Sequence, residues 1–556
     1  MTESNNVVTT DVLIIGGSIA ALSAANKVVE TGADVLIVDK STAGFSGQVP
    51  LAGGHFSCVP SDKVEERLKY FTKNSEFLND QEFTEAFLRA TYPAIEEMSS
   101  WTPFFQAFPR KADGSLLLNP PNGVSVTNPR RDLQYPMMLH RVLEKGGKVL
   151  NKVYIAELVM QDGKVAGAIG FHYQTGELYV IQARKVILAC GGCMFKSRPL
   201  WHVNCGEGLA MAYKAGAEFR NAEFGNMFSV ANKYTLDDGG FTGIMTDRLY
   251  ENAQGEMLRD KYPQEGLAPN YKTVMAFYKE IEAGRGPIYA DLSKRPDLVR
   301  TGGYERWGDQ NIDFINKMKR MGIDVSKQKV EFVMTPEFHE GPVRVDLKSE
   351  TTVPGLYAIG DIMWHGSAWY GAVDWQRGLP MSLALVTGIW AGTAAGEAAS
   401  STPKPKISAA EIGELKKDIF EPLNKNAGYD PYAAINDIQE IVFKVKNSII
   451  KNRERLESSL SKLEDIKAKL PSLTAKDSHE LVRCHEAKAM VTCAELMYQA
   501  SLMRTETRGS NVREDYPERD DKNWLKWIII KNDGDKMNLR TEPVPIEKYK
   551  LKPGMA

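Results

Sequence analysis

The residues with the plainest chemical implication are Gly16, Gly17, Ser18 and Ala21, in the stretch "DVLIIGGSIAALSAA" that begins at Asp11. A glycine turn between an apolar run and a helix-periodic run aims free backbone N–H groups of a helix start at a phosphate. Ser18 occupies the place of the middle glycine in G-x-G-x-x-A. Serine is the smallest chiral residue with a polar tip, so pyrophosphate can still approach the backbone if φ at this position is negative. A second buried run, "ADVLIVDK" at 33–40, ends in Asp39, 23 positions after Gly16. At that spacing a carboxylate meets the ribose hydroxyls of an adenine dinucleotide. Residues 11–40 thus read as a βαβ unit built for a nucleotide, against the plainer alternative of a βαβ unit that binds nothing.

Three distant segments bear on which nucleotide this is. "ARKVILACGGC" (183–193) is a short strand closing on a Gly-Gly turn. "VPGLYAIGDI" (353–362) is another, ending in Gly360-Asp361, and "RGLPMSLALVTGIWAGTAAGEAA" (377–399) opens a helix with Ser382 near its start. Several β-turn segments converging on one long ligand fit FAD better than NAD. Asp361 is then expected at the ribityl chain. The start of the helix from Ser382 is expected to direct N–H groups at the flavin N1/O2 edge, where negative charge develops on reduction.

The elements that must position these groups belong to a large chain. Its 556 residues exceed one ordinary core, so two or three domains are expected. With 69 basic and 71 acidic side chains, a net charge of −2 gives no electrostatic case for nucleic acid or an anionic membrane. "MTESNNVVTTDV" has no basic stretch followed by an apolar run, and no apolar run in the sequence approaches the roughly 20 residues that span a bilayer. Six scattered cysteines imply a reducing compartment, and a cytoplasmic location is expected. The Cys190–Cys193 pair sits at a strand end in a poor context for zinc, and no metal site is expected. With no iron–sulfur or haem ligand set in the sequence, any electrons must pass to a separate carrier.

Between about 223 and 335 the pattern becomes mixed and rich in glycine and charge, which reads as a second domain inserted into the first. Residues 403–505 are strongly helical. "NSIIKNRERLESSLSKLEDIKAKL" spaces Ile449, Ile450, Leu456, Leu460, Leu463 and Ile466 as a core-facing helical bundle does, without sustained heptads. The tail 506–556 has short β-like runs such as "WLKWIII".

The ordered set "IIGGSIAA", "LIVDK", "GFSGQVPLAGG", "VILACGG", "NCGEGLAMAYKAGAE", "GRGPIYADL", "TPEFH", "GLYAIGDI", "RGLPMSL" and "TRGSNVREDYPERDDKNW" resembles the flavoprotein subunits of succinate dehydrogenase and fumarate reductase. L-aspartate oxidase and the α subunit of dissimilatory adenylylsulfate reductase belong to the same family. The helical stretch "LPSLTAKDSHELVRCHEAKAMVTCAELMYQASLMRTETR" is most similar to the last of these. The resemblance implies an α/β plus α architecture. A discontinuous Rossmann-like FAD-binding domain (1–222 and 336–402) carries an inserted α+β capping domain (223–335), a helical bundle (403–505) and a small C-terminal domain (506–556). It places FAD on Gly16, Gly17, Ser18, Ala21, Asp39, Lys40, Ser46, Gly47, Gly191, Glu207, Asp361, Ser382 and Leu383. Members with covalent flavin carry a histidine directly after the serine of "FSGQ"; here that residue is Gly47, so non-covalent FAD is implied.

The same resemblance nominates catalytic residues. Arg377 precedes Ser382 by the interval that separates the carboxylate-binding arginine from the flavin-binding serine in fumarate reductases. His339 in "PEFH" matches the family's carboxylate-binding histidine, and Arg285 in "GRGPIYADL" its capping-domain proton donor or acceptor. An arginine serves as an acid–base group only when desolvated and held by carboxylates. His365, among Trp364, Trp369, Tyr370 and Trp375, falls near a further family histidine. Two departures stand out. A histidine run after "AGAE" in fumarate reductases is replaced by a segment offering Asn226 and Met227, which puts succinate and fumarate in doubt. "LAGGHFS" stands where adenylylsulfate reductase has "LSAINTY", and the arginine that enzyme uses on its substrate is missing too. The expectation is an FAD-dependent oxidoreductase moving hydride to or from a carboxylate-bearing substrate, with a separate iron–sulfur electron partner. The alternatives are a sulfur substrate handled through a flavin–sulfite adduct, and a non-enzymatic flavin scaffold.

Overall fold

The computed structural model describes residues 6–48, 54–104, 106–119, 122–197, 203–225, 228–234, 249–263, 270–301, 310–336, 341–367, 378–534 and 536–554. The chain forms two compact units, residues 1–226 with 338–556, and residues 227–337.

The elements of the first unit that carry the site are β1 (Asn6–Ile15), α1 (Ile19–Thr31), β2 (Val35–Asp39), β3 (His55–Ser57), β4 (Lys148–Asn151), β5 (Val153–Gln161), β6 (Lys164–His172), β7 (Leu178–Leu188), α2 (Glu207–Lys214), β8 (Leu356–Ala358), α3 (Leu379–Ala399) and α4 (Ser478–Met503). The central sheet runs β4-β2-β1-β7-β6-β5, and β8 pairs with the second half of β7. Strands β4, β2, β1, β7 and β8 are mutually parallel, so the turns after β1, β2, β7 and β8 all emerge along one edge. That edge is where open α/β sheets bind ligands. Val12, Leu13, Ile14, Ile37, Val186 and Ile187 are fully enclosed, as expected of strands covered on both faces.

The helix expected to open at Ser382 begins at Leu379, one residue after its N-cap Gly378, whose φ is +79°. Pro380 near the first turn suits a helix start, because that position has no intrahelical N–H bond to lose. At 21 residues and mean hydropathy 1.3 in its most apolar stretch, α3 is long and apolar enough to cross a membrane, contrary to the sequence expectation. Here it is a core helix against α1. A Cβ on Gly388 would lie 2.7 Å from the Ala20 carbonyl oxygen, one on Gly392 2.3 Å from that of Ala24, and one on Gly396 2.5 Å from Thr31 Oγ1. The glycine row lets two backbones approach as side chains would forbid.

The helical region and the tail close over the same unit. Strands Lys526–Asp533 and Lys536–Pro543 form a hairpin whose first strand pairs with Phe219–Arg220. In α4, His485 stacks on Tyr154 with ring centroids 5.8 Å apart, and its Nε2 lies 3.2 Å from the Ile419 carbonyl oxygen, a bond that requires the proton on Nε2. Burial, reinforced by the Lys488 charge, pulls its pKa down to about 3. In the unfolded chain the same ring titrates near 6.5, so its protonation favours unfolding progressively as pH falls below about 6.5 toward 3. At pH 4.5, two units below the unfolded value, the penalty is roughly 3 kcal/mol. Thermal unfolding of His485→Phe should therefore lose less midpoint between pH 7 and 4.5 than that of the wild type; equal losses would count against a neutral buried ring.

The second unit is α+β. Its antiparallel sheet orders Phe228–Asn232, Val330–Pro336, Ile288–Ala290 and Tyr250–Glu251, with Tyr250 packed edge-on to Phe277 of the helix Asn270–Glu282 at 5.0 Å.

Candidate active site

Around the parallel edge of the first unit, the glycine positions show which loops meet. Gly16 has φ +117°, and a Cβ there would lie 2.3 Å from the Ala189 carbonyl oxygen, so the turns after β1 and β7 touch backbone to backbone. A Cβ on Gly17 would lie 2.5 Å from Asp39 Oδ2, which joins the phosphate turn to the end of β2. Gly360, φ +70°, faces Ala20 of α1 and Ala384 of α3, and its N–H donates to Thr387 Oγ1 at 3.0 Å. The four sequence segments that suggested one long ligand therefore share one cradle.

Ser18 answers the question posed by its own identity. Its φ is −90° and ψ −170°, ordinary extended backbone, so the turn needs no glycine at this position. It stands at the N-cap of α1 without bonding the helix through its side chain. The loop Ala43–Gly47 folds onto this turn: Gly44 N–H donates to the Gly17 carbonyl at 2.8 Å. Gly47 has φ +74°, and a Cβ on it would lie 3.0 Å from both Cβ and Oγ of Ser18. Ala21 is fully buried in the first turn of α1.

Asp39 accepts from Ser46 Oγ at 2.7 Å and from the Ser41 N–H at 2.5 Å. Lys40 Nζ lies 2.5 Å from Glu207 Oε1, at the start of α2. Burial disfavours the charged ammonium, but Glu207 and Glu486 together outweigh it and hold Lys40 above the usual lysine range. Glu207 is held below the usual carboxylate range, where desolvation, the largest single influence, is overcome by Lys40. Desolvation, then the Glu207 charge, pushes the neighbouring Cys190 thiol up to about 12, so it stays protonated and is a poor nucleophile. Gly191, φ +73°, faces Asn204 Nδ2.

Ser382 is fully buried. Its hydroxyl donates to the Ser57 carbonyl at 2.7 Å and its N–H to Gly378 at 3.1 Å. In this arrangement it fixes β3 to the start of α3, and both its polar groups are engaged within the protein. Leu383 is buried beside it. Asp361 is half-buried, and a Cβ on Gly341 would overlap its carbonyl oxygen.

His339 and Arg377 lie outside the described residues, as do Asn226, Met227, Trp369, Tyr370 and Trp375, and the side chains of Trp364 and His365. Arg285 is described, within the second unit. Its Nε and Nη2 donate to the two oxygens of Glu280, at 2.7 and 2.8 Å, and its backbone N–H donates to the Glu280 carbonyl at 2.9 Å. Glu280 is fully buried and also accepts from Asn252 at 2.7 Å, Tyr262 Oη at 2.6 Å and Lys261. The Arg285 bond, against desolvation, holds Glu280 well below the usual carboxylate range, and Glu280 in turn holds Arg285 above the usual arginine range. The sequence reading did not single out Glu280. Its spacing of five residues before Arg285, at the last turn of a helix, was the available signal.

FAD fits the cradle on structural grounds. Gly16 lets the β1 turn lie against the Ala189 backbone, α1 starts there with no side-chain cap on its amides, and Asp39 ends β2 against Gly17. Pyrophosphate suits the uncapped helix start, and ribose hydroxyls the carboxylate beside it.

Comparison with known proteins agrees. The FAD binding domain family model matches residues 11–372, and the fumarate reductase flavoprotein C-terminal model residues 436–555. An uncharacterised FAD-dependent oxidoreductase of Methanocaldococcus jannaschii is 29% identical over 95% of this chain and 97% of its own. One subunit of the fumarate reductase (CoM/CoB) of Methanothermobacter marburgensis is 25% identical over 94% of this chain and 96% of its own. Among solved structures, E. coli quinol fumarate reductase superposes with a TM-score of 0.84 at 20% identity, covering 99% of this chain and 98% of that one. Adenylylsulfate reductase from Archaeoglobus fulgidus gives 0.78 at 21%, covering 97% and 96%. Identities this low speak to a shared fold, with its Rossmann-like sheet. Since the FAD-binding model alone takes in more than half of the sequence, the chain belongs to the FAD-dependent oxidoreductases of the fumarate reductase and succinate dehydrogenase flavoprotein family.

Proposed function

We propose that this protein interconverts a carbon–carbon single and double bond in a carboxylate-bearing substrate, and exchanges electrons with a separate iron–sulfur subunit. Bound FAD supplies the hydride acceptor or donor. Arg377 and His339 hold the substrate carboxylate through charge-assisted hydrogen bonds. Arg285 gives or takes the proton at a guanidinium nitrogen. The observation that carries this reading is the Arg285–Glu280 pair, in which a buried, fully occupied carboxylate fixes a cation in one orientation. Arginine keeps its proton at neutral pH and the Glu280 pair holds it more firmly still, so Arg285 acts as a proton carrier only where a proton given to the substrate is replaced at once. Tyr262 and Lys261, on the same carboxylate, are the groups placed to restore it. Gly47 offers no side chain to link the flavin, which supports non-covalent FAD. Relatives named as fumarate reductase flavoproteins support a carboxylate substrate.

The test is steady-state turnover with an artificial electron dye, comparing α,β-unsaturated mono- and dicarboxylates with adenosine phosphosulfate. Reduction of an enoate is expected. In Arg377→Ala its KM should rise roughly 10- to 100-fold, the worth of a charge-assisted pair. Turnover of adenosine phosphosulfate with every enoate inert would replace this reading with sulfur chemistry.

A further inference from the structure

One buried carboxylate near the nucleotide end takes no part in the proposed chemistry. Glu486 lies in α4, and its side chain is 2% exposed. Its Oε1 is 3.8 Å from Lys40 Nζ, and its Oε2 is 2.9 Å from Lys196 Nζ and 2.5 Å from an Arg483 nitrogen. Lys40 directly follows Asp39 at the end of β2. Lys196 belongs to the turn that leaves β7 through Cys190 and Gly191. The two oxygens of one buried acid therefore reach both the loop after β2, directly beyond Asp39, and the loop after β7.

The second loop also carries strain. Phe195 and Lys196 both have φ +50°, the left-handed region that non-glycine residues rarely occupy. Such a conformation persists where surrounding contacts over-determine it. Two contacts do so from the helical region: Gln439 Nε2 donates to the Phe195 carbonyl at 2.8 Å, and Glu486 holds the Lys196 ammonium. On the first loop, Lys40 shares its charge between Glu207 and Glu486. Without Glu486 the three cations Lys40, Lys196 and Arg483 would face each other with Glu207 as the remaining acid of the cluster.

We infer that Glu486 is a positioning residue for FAD: it bridges Lys40 and Lys196 and so fixes the spacing of the two loops that close on the adenosine half. The helical region thereby holds the cofactor in place across 446 residues of sequence separation from Lys40. No bond to FAD from Glu486 itself is involved.

The experiment follows FAD release from the holoenzyme by flavin fluorescence after dilution, with thermal unfolding of each variant in parallel. Glu486→Gln keeps the shape and removes the charge; release should quicken about tenfold, with the visible spectrum of the bound flavin unchanged. Lys196→Met removes one arm of the bridge and should quicken release to a similar degree, which keeps the test open if Glu486→Gln fails to fold. The Glu486→Gln, Lys196→Met double variant should release FAD no faster than the quicker single variant, because both changes break one bridge. A merely structural role would lower the unfolding midpoint while leaving release alone, or would let the two effects multiply. Release changed by less than threefold, or multiplicative effects in the double variant, would overturn the assignment. A wild-type protein that purifies without flavin would instead count against the FAD cradle itself.

Discussion

Replacing Arg285 with lysine lowers turnover at saturating substrate by at least about a hundredfold and leaves FAD content unchanged. General acid–base groups contribute roughly 10²- to 10⁴-fold, and the geometry around Glu280 explains why lysine cannot substitute. Two parallel N–H bonds, at 2.7 and 2.8 Å, fix the guanidinium plane. A lysine presents one ammonium to the same carboxylate, with no fork to set its direction. Glu280→Gln should lose comparable activity by a different route. A neutral amide offers one acceptor oxygen to Arg285, Tyr262, Asn252 and Lys261, which now share two. Because Arg285 and its companions hold Glu280 well below the usual carboxylate range, the pair stays ionised through mildly acid pH. An acid limb in the wild-type rate profile above pH 5 therefore belongs to another group. Wild-type kcat in Arg285→Lys, measured with a substrate shown to turn over, would remove Arg285 from the chemistry.

The cradle was legible in the sequence because its parts are local. Gly16, Gly17, Asp39, Gly360 and Asp361 each sit at the end of an apolar run, and parallel strands bring such ends to one edge whatever the length between them. Ser18 was legible conditionally, since its tolerance depended on a backbone angle that the structure supplies. What stayed hidden depends on contacts rather than pattern. The resemblance assigns Ser382 to the flavin, and the structure adds a bond that no sequence pattern marks, from its hydroxyl to the Ser57 carbonyl 325 residues away. Glu486 is one of three glutamates in α4, and nothing in its periodicity marks it as reaching Lys40. α3 starts three residues before Ser382 because Gly378 caps it in the left-handed region and Pro380 fits its first turn. Glu280 was overlooked: at a helix end full of charged residues, one buried acid looks like the exposed ones.

The second large effect expected is a Gly16→Ala protein that purifies without colour. Two independent costs meet at this residue. Its φ of +117° lies where an L side chain is strained, a cost of roughly 1–3 kcal/mol. Its new Cβ would also sit 2.3 Å from the Ala189 carbonyl oxygen and 2.7 Å from the Ala189 carbonyl carbon. Those are backbone atoms, and they cannot move aside as a flexible side chain would. Ala189 is pinned by its N–H to the Ile15 carbonyl at 2.8 Å, and Gly16 by its own to Val38 at 2.8 Å, so relief requires parting β1 from β7 in the centre of the sheet. Overpacking of that kind costs roughly another 1–3 kcal/mol. The expected result is an unfolding midpoint several degrees lower and a flavin-to-protein ratio reduced at least about tenfold, since the shift in β1 moves the start of α1 off the pyrophosphate. Ser18→Gly is the matched control. Its φ of −90° is open to any residue, so this variant should stay yellow even though it restores the residue that a pattern search would demand. If Gly16→Ala held FAD with the wild-type midpoint, the close approach of the β1 and β7 turns would not be what shapes the site. If Ser18→Gly bleached while Gly16→Ala did not, the phosphate would depend on the serine hydroxyl rather than on the bare backbone of the turn.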